Sequence, residues 1–522
     1  MQIIEDTALK FSLPVHLTDK VTRNIERSER IDPQLLVCWE YPEASYVARL
    51  LDTEQPDLTL PDIPSPMLRD YKWPGIYVPF EHQKDTASFL SLRERAFCFN
   101  EMGTGKTSAA IWAADYLMEL GIVKRVLIVC PLSIMHSAWQ NDIFKTTMHR
   151  SAAIAYGSRE KRARVIKDSH DFVIINYDGV GVVKQEIADA RFDLIIADEA
   201  NSYKNASTKR WKTLAKLITP TTRLWMMTGT PASQSPVDAF GLARLISPWR
   251  VPKFTTAWRD KVMQQVSRFK WIPRPTARQM VFAALQPAIR YTKEECLDLP
   301  EIVYQTREVP LTVQVANYYK KLKAQMLIEA AGVQISAVNA AASLSKLLQI
   351  SGGAVYTDER DVVVFDVSPR LQALKEVLED TDHKVVVFVP YLHTIEVIKD
   401  FLNREGISNA VIKGDVSAKE RGSIINRFQT QPDPHVLVIQ PQSASHGVTL
   451  TAADTVVFWS PVMSVETYLQ CVGRINRVGQ VNKMTVVKLQ GSDVERKVYD
   501  MLEGKVDSHQ KLVDMYKEEI GI

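Results

Sequence analysis

The sequence predicts two tandem α/β lobes with parallel sheets and helical insertions, preceded by a small domain. Three observations carry this prediction. Short, unbroken apolar runs rich in Val, Ile and Leu recur in two blocks, as strands covered on both faces do. Stretches with helical spacing separate these runs, which is the alternation of a doubly wound sheet. The chain has 522 residues, and at roughly 150 residues per domain that makes about three folding units.

Taken in order, residues 1–75 form a small acidic N-terminal domain with 8 basic and 13 acidic side chains. It carries no chemical motif and ends near the Pro-bearing stretch Gln55–Pro66. Three roles stay open for it: substrate selection, a protein-partner site, or an autoinhibitory flap. Residues 76–305 form the first lobe. Its expected strands are Ala96–Phe99, Arg125–Cys130, Asp171–Asn176, Phe192–Ala197 and Arg223–Thr228, with helices such as Ser108–Leu120 and Thr208–Leu217. Residues 306–365 read as a helical insertion or linker, because Val313–Gln349 is rich in Ala and Leu and has no Pro. Residues 366–500 form the second lobe, with strands at Lys384–Val389, His435–Ile439, Thr455–Phe458 and Met484–Lys488. Residues 501–522 end the chain as a helical tail.

Composition narrows the class. Hydrophobic residues make up 46% and charged residues 24%, which are globular values and exclude disorder. No apolar run reaches membrane-spanning length, and the N-terminus has no secretory pattern. Cys38, Cys98, Cys130, Cys296 and Cys471 are dispersed, as free thiols in a reducing, cytoplasmic compartment would be. The net charge of +3 hides a split. Residues 1–75 are net −5, whereas residues 201–300 hold 17 basic and 5 acidic side chains, net +12.

The sharpest motif is Phe99-Asn-Glu-Met-Gly-Thr-Gly-Lys-Thr107, between an apolar strand and a helix. A phosphate-binding loop needs small residues so that backbone N–H groups can close on the phosphates. It also needs a lysine for the β/γ oxygens and a hydroxyl for Mg²⁺. Met102, Gly103, Thr104, Gly105, Lys106, Thr107 and Ser108 line this candidate loop. Asn100 stands where the strict pattern has its first Gly. Leu194-Ile-Ile-Ala-Asp-Glu-Ala-Asn201 is an apolar strand ending in an acidic pair. Asp198 would hold Mg²⁺ and Glu199 would polarise the attacking water. Alone, such a pair is more often a solvated turn; downstream of Lys106 in an α/β pattern the functional reading is preferred. Arg474 and Arg477, three apart, share a face if they are helical. Two such arginines usually mark a solvated surface. Across from a nucleotide they would instead stabilise the γ-phosphoryl transition state.

Together these motifs resemble superfamily 2 helicases and translocases, and within them Swi/Snf-type ATPases. Further segments share the resemblance. Pro79-Phe-Glu-His-Gln83 is similar to the adenine-reading segment, with Gln83 as the base contact. Cys130–Trp139 resembles the first DNA-contacting motif, which implies contacts by Pro131, Ser133 and Trp139. Ile174–Tyr177 resembles the next, which implies Asn176 and Tyr177. Thr228-Gly-Thr-Pro231 resembles the motif coupling hydrolysis to movement, through Thr228, Gly229 and Thr230. Its continuation to Pro236 is closer to the fork-remodelling, annealing-helicase branch than to nucleosome remodellers. Gly414–Arg421, Phe428 and Arg477-Val-Gly-Gln480 match second-lobe motifs, with Gln470 and Gly447 at coupling and nucleotide positions. Asn201 replaces the family's coupling histidine. Met463-Ser-Val465 replaces Trp-Asn-Pro, and Ala444-Ser-His-Gly447 a Gly-rich stretch. These departures and the short chain resemble compact bacteriophage members.

The resemblance implies two RecA-like lobes binding ATP and Mg²⁺ between them. It also implies a helical protrusion at about 240–290, where the basic charge concentrates. Arg259, Lys261, Arg268 and Lys270 are its candidate DNA contacts, interleaved with aromatics that pack a local core or stack on bases. For any single one of them, a solvated basic face is the blander reading. Tyr71 and Trp73 either frame the adenine or pack a core. The implied function is a monomeric, DNA-dependent ATPase that translocates on double-stranded or branched DNA. Two alternatives stand beside it: a 3′–5′ unwinding or branch-migration helicase, and a nucleotide-gated interaction module.

Overall fold

The computed structural model describes residues 2–53, 62–229, 231–232, 235–267, 270–296, 299–330, 337–356, 362–444, 448–477 and 479–504. The chain divides into two compact units, Met1–Cys296 and Leu297–Ile522.

The first unit opens with an antiparallel sheet of β1 (Gln2–Ile4), β2 (Ala8–Phe11), β3 (Ser28–Ile31) and β4 (Gln34–Cys38), in the order β1-β2-β4-β3. Alternation sends Leu9, Phe11, Leu35 and Val37 to one face. The helices Val15–Asn24 and Tyr41–Asp52 cover that face with Leu17, Val21, Ala44, Val47 and Ala48. Leu92 of the following lobe completes this core. Ser45 Oγ donates to the Leu92 carbonyl at 3.2 Å and Tyr41 Oη to that of Ser91 at 3.1 Å. Arg93 Nε pairs with the Asp52 carboxylate at 3.0 Å, and an Arg250 N–H donates to the Asp52 carbonyl at 2.6 Å. The acidic domain therefore shares a core and an ion pair with the first lobe.

The first lobe holds β5 (Arg95–Cys98), β6 (Val126–Cys130), β7 (Ala152–Ala155), β8 (Phe172–Asn176), β9 (Leu194–Asp198) and β10 (Arg223–Met227). A hairpin follows, β11 (Met263–Ser267) and β12 (Lys270–Pro273), and then β13 (Ala288–Ile289). The main sheet is wholly parallel, in the order β13-β5-β10-β9-β6-β8-β7. Its central strands are buried on both faces, which explains their unbroken apolar runs. The protrusion is not purely helical. Helices Ala239–Ile246, Thr255–Val262 and Ala277–Ala284 surround the β11–β12 hairpin.

The second unit holds β14 (Ile302–Glu308), the hairpin β15 (Ala354–Tyr356) and β16 (Val362–Val364), then β17 (Lys384–Phe388), β18 (Asn409–Ile412), β19 (Val436–Ile439), β20 (Ala453–Phe458) and β21 (Met484–Gln490). Its parallel sheet runs β14-β21-β20-β17-β19-β18. This corrects two expected boundaries. The first lobe ends before residue 305, because β14 pairs with β21 along its whole length. Residues 306–365 are part of the second lobe rather than a linker. The helices Val313–Ala330 and Ala337–Gly352 give Val315, Tyr319, Leu344, Leu347 and Leu348 to its core. β14 is a half-exposed edge strand with polar Gln305, Thr306 and Arg307, so it lacks an apolar run. The helix Asp493–Leu502 begins with a Ser492–Glu495 capping box, and residues 505–522 of the expected tail lie outside the described residues. No helix among the described residues is long and apolar enough to cross a membrane.

Candidate functional site

The loop 99–105 leaves the C-terminal end of β5 and opens the helix Lys106–Glu119. Gly103 and Gly105 take φ of +94° and +77°, a left-handed region that side chains disfavour. A Cβ at Gly105 would also strike the Gln83 amide. The loop's apex is held by the helix Glu81–Ser91: His82 Nε2 lies 2.7 Å from the Thr104 carbonyl, and Gln83 Nε2 donates to it at 3.3 Å. Gln83 Oε1 accepts the Phe80 N–H at 3.0 Å, so both ends of this amide are engaged locally. The rings nearest this helix start are Phe80 and Tyr291, 5.7 and 5.8 Å from His82. Tyr71 and Trp73 pack a core instead: Tyr71 Oη donates to Asp115 at 2.6 Å, and Trp73 meets Trp112 edge-on at 5.7 Å.

The N-terminus of the Lys106–Glu119 helix offers backbone N–H groups without intrahelical partners, a natural seat for phosphate. Lys106 is its first residue and is buried, and its ammonium makes no hydrogen bond among the described residues. Thr107 is half-buried, Ser108 buried and Met102 half-buried. Asn100 is 1% exposed and ties the loop to two other segments. Its Nδ2 donates to Thr86 Oγ1 at 2.8 Å, and its Oδ1 accepts the Tyr291 N–H at 3.1 Å. Glu101 N–H reaches the Tyr291 carbonyl at 3.0 Å. Sequence reading marks Asn100 only as a missing glycine, because its partner Tyr291 is 191 residues away.

The acidic pair ends β9. Register places Asp198 beside Met227 of β10, and Met227 beside Cys98 of β5, so the pair and the loop rise from the same sheet edge. Asp198 Oδ2 accepts the Trp139 indole N–H at 2.9 Å and Oδ1 accepts the Glu199 N–H at 3.0 Å. Tyr177 Oη donates to the Asp198 carbonyl at 2.5 Å and lies 3.3 Å from that of Glu199. Glu199 itself sits at φ +49°. Burial raises the Asp198 carboxyl above its ordinary pKa, and the Lys106 charge and the two N–H donors oppose that. The coupling segment lies against the loop. Thr228 N–H donates to the Cys98 carbonyl at 3.0 Å, and the side-chain position of Gly229 is 3.3 Å from Met102 N. Asn201 is half-buried in the turn Ala200–Tyr203, and Thr230 lies outside the described residues.

The donor set fits a magnesium nucleoside triphosphate. Lys106, buried and electrostatically paired with the buried carboxylate of Asp198, and the glycines of the open loop gather at one sheet edge, which suits the phosphates and the cation of such a nucleotide.

In the second lobe Arg474 and Arg477 lie beyond the helix Val465–Val472, which corrects the expectation of a shared helix face. A different device brings them together. Both direct NH1 at the Val448 carbonyl, at 3.5 and 3.1 Å, and Arg477 also donates to Thr449 Oγ1 at 2.9 Å. Gln470 is buried, with Nε2 3.5 Å from Glu466 Oε1. Gly447 lies outside the described residues.

The residues expected to contact DNA lie in different settings. Trp139 is 0% exposed and Pro131 is buried, so neither presents a surface. Ser133 is half-buried. Asn176 Oδ1 accepts an Arg162 N–H at 2.9 Å, and the Tyr177 hydroxyl is turned inward. In the protrusion Arg259 stacks on the Trp271 ring at 4.3 Å and Lys261 is exposed. Arg268 and the Lys270 side chain lie outside the described residues.

A parallel-sheet lobe with this loop and this acidic pair belongs to the class of ATP-hydrolysing enzymes. The SNF2-related domain model matches residues 82–352, more than half of the chain, and the helicase conserved C-terminal domain matches residues 369–479. The chain belongs to the SNF2-related family and is an ATP-hydrolysing enzyme of the helicase and translocase type. Protein p41 of Acyrthosiphon pisum secondary endosymbiont phage 1 is 26% identical over 77% of this chain and 90% of its own length. The mouse chromodomain-helicase-DNA-binding protein 1-like is 24% identical over 80% of this chain, which spans only 47% of that relative. A Drosophila melanogaster SWI/SNF-related regulator of chromatin, subfamily A-like protein 1, is 24% identical over 77% of this chain and 51% of its own length. The solved Sulfolobus solfataricus SWI2/SNF2 ATPase core in complex with double-stranded DNA covers 85% of this chain and 94% of its own, at 21% identity and a TM-score of 0.41.

Proposed function

We propose that this protein is a DNA-dependent ATPase that translocates along double-stranded DNA and remodels forked or branched DNA. The observation that carries the reading is the common sheet edge holding Lys106, Asp198 and Glu199, in a chain whose next segment is strongly basic. Relatives named for helicase activity and DNA binding support it.

In this reading the helix N-terminus, Gly103–Gly105 and Lys106 bind the phosphates. Thr107 and Asp198 would hold Mg²⁺, which would supply positive charge to the phosphates. Glu199 takes the attacking water by hydrogen bond and orients it. Arg474 and Arg477 are the cations assigned to the γ-phosphoryl charge. ATP binding and turnover shift the protein between states of different affinity for the nucleotide, which moves the chain along DNA. Gln83 keeps the loop's apex in place, and Thr228, Gly229, Asn201 and Gln470 relay its state. The protein acts as a monomer in the cytoplasm, of a host cell if phage-encoded, and its N-terminal domain offers a surface to a protein partner.

One observation favours a second reading, a strand-separating helicase. The β11–β12 hairpin carries exposed Val266 and Ile272, side chains that suit a wedge at a junction. Turnover measured with duplex, single-stranded and forked DNA, followed by triplex and strand displacement, tests both. Triplex displacement without unwinding of long duplexes supports translocation; best stimulation by single strands, with long duplexes unwound, supports the helicase.

A further inference from the structure

We infer that Trp139 and Tyr177 are positioning residues that hold Asp198 and Glu199 in their working geometry. The inference rests on the reading of Asp198 as a magnesium ligand and Glu199 as the residue that orients water.

A carboxylate on a strand end turns about its Cα–Cβ and Cβ–Cγ bonds. At Asp198 each oxygen has its own donor: Trp139 Nε1–H on Oδ2 and Glu199 N–H on Oδ1. Two donors on different oxygens fix that plane. The outward lone pairs of both oxygens remain available to a cation. Trp139 stands on the short segment Met135–Gln140, is 0% exposed, and points its only polar atom at Asp198. Packing alone would be met by Phe. The indole N–H is what a core residue lacks and this position uses.

Tyr177 acts on the next residue. A non-glycine backbone at φ +49° persists only where its surroundings over-determine it. The Tyr177 hydroxyl reaches the carbonyls of both Asp198 and Glu199, so it grips the peptide on either side of the Glu199 nitrogen and Cα. The tyrosine ring is itself held, with the Arg210 guanidinium 4.7 Å from its centre and the Tyr203 ring edge-on at 5.8 Å. One clamp sets the carboxylate plane of Asp198. The other sets the direction in which Glu199 leaves the strand.

The test uses the full chain, a fluorescent ATP analogue and two variants that keep ring size and remove one donor. Trp139→Phe should raise the Mg²⁺ concentration for half-maximal nucleotide binding about tenfold, the usual effect of losing an outer partner of a metal ligand. Binding without Mg²⁺ should stay as in the native chain. Tyr177→Phe should leave the Mg²⁺ titration in place and lower kcat about tenfold with KM for ATP unchanged. Lowered melting temperatures with neither readout moved would overturn the inference, because that is what packing alone produces. Should Trp139→Phe fail to fold, the kcat and KM split of Tyr177→Phe still decides its half. Asp198→Asn serves as the control. If it leaves the Mg²⁺ dependence of nucleotide binding unmoved, the magnesium-ligand reading itself fails; if it abolishes that dependence while Trp139→Phe does not shift it, the inference alone fails.

Discussion

Glu199 joins the chemistry to the backbone that makes it possible. Its left-handed φ turns the chain sharply after β9, so that two consecutive acidic residues take different settings. Asp198 is buried and tethered, while Glu199 is only half-buried. Glu199→Gln keeps size and hydrogen bonding but cannot polarise water. It should retain nucleotide binding and lose turnover by about 10²–10⁴-fold, the span of a positioned general base. Nucleotide binding and phosphate release measured on one preparation check this, and unchanged turnover would remove the assignment. The residue types at this edge are legible in the sequence because each motif is contiguous. The indole donor to Asp198 is not legible as such: Trp139 lies 59 residues away, and the resemblance places it on DNA.

At the scale of elements, the basic segment and the helix Asp493–Leu502 make separate predictions. Lys253, Lys261 and Arg278 are exposed on the protrusion, whereas Arg259 is committed to Trp271. Replacing the three exposed residues by Ala should weaken DNA binding and flatten its dependence on salt, by about 0.9 in the logarithmic slope for each phosphate no longer neutralised. Titrations at several salt concentrations read this out, and an unaltered slope would sink the protrusion's role. In the second lobe Arg370 and Glu495, 2% and 0% exposed, form a buried ion pair at 2.9 Å. Glu495 Oε2 also accepts the Gly491 and Ser492 N–H groups at 2.8 and 3.1 Å, which caps the helix. Glu495→Ala leaves a guanidinium buried without its counter-charge and should cost about 3–5 kcal/mol. Replacing both partners by Leu removes the unpaired charge and should cost less, with the loss of the cap remaining, and the urea midpoints of the two variants decide. Within the two main parallel sheets, the strands that sequence reading does not reveal, β7, β13, β14 and β18, lie at the sheet edges. A half-exposed strand has no need of an unbroken apolar run, so the signal that reveals the central strands is absent from them.

For the molecule as a whole, the acidic N-terminal domain is the feature whose meaning changes most. Its charge suggests a device separate from the basic chain that follows. Its core instead closes on Leu92, and Arg93, 7% exposed, ties Asp52 to the first lobe. The domain and the lobe should therefore unfold as one unit. Hydrogen exchange in rising denaturant should show β2 and β4 losing protection together with β5 and β10. Loss in the N-terminal strands first, with the lobe still protected, would refute it. Arg93→Ala should lower the stability of both parts by a similar amount.

Two parallel α/β lobes, the phosphate loop, the acidic strand end and the family depend on neighbours along the chain and are legible there. Each is a local pattern of periodicity or spacing, written within a few turns of backbone. Partners far apart in the chain are chosen by the fold. It put Trp139 on Asp198 rather than on a surface, Asn100 on the segment that leaves the lobe, Arg474 and Arg477 on one carbonyl without a helix to align them, and β14 in the second sheet. Buried hydrogen-bonding groups must find partners wherever the fold brings them, and residue spacing alone does not say which distant groups those will be.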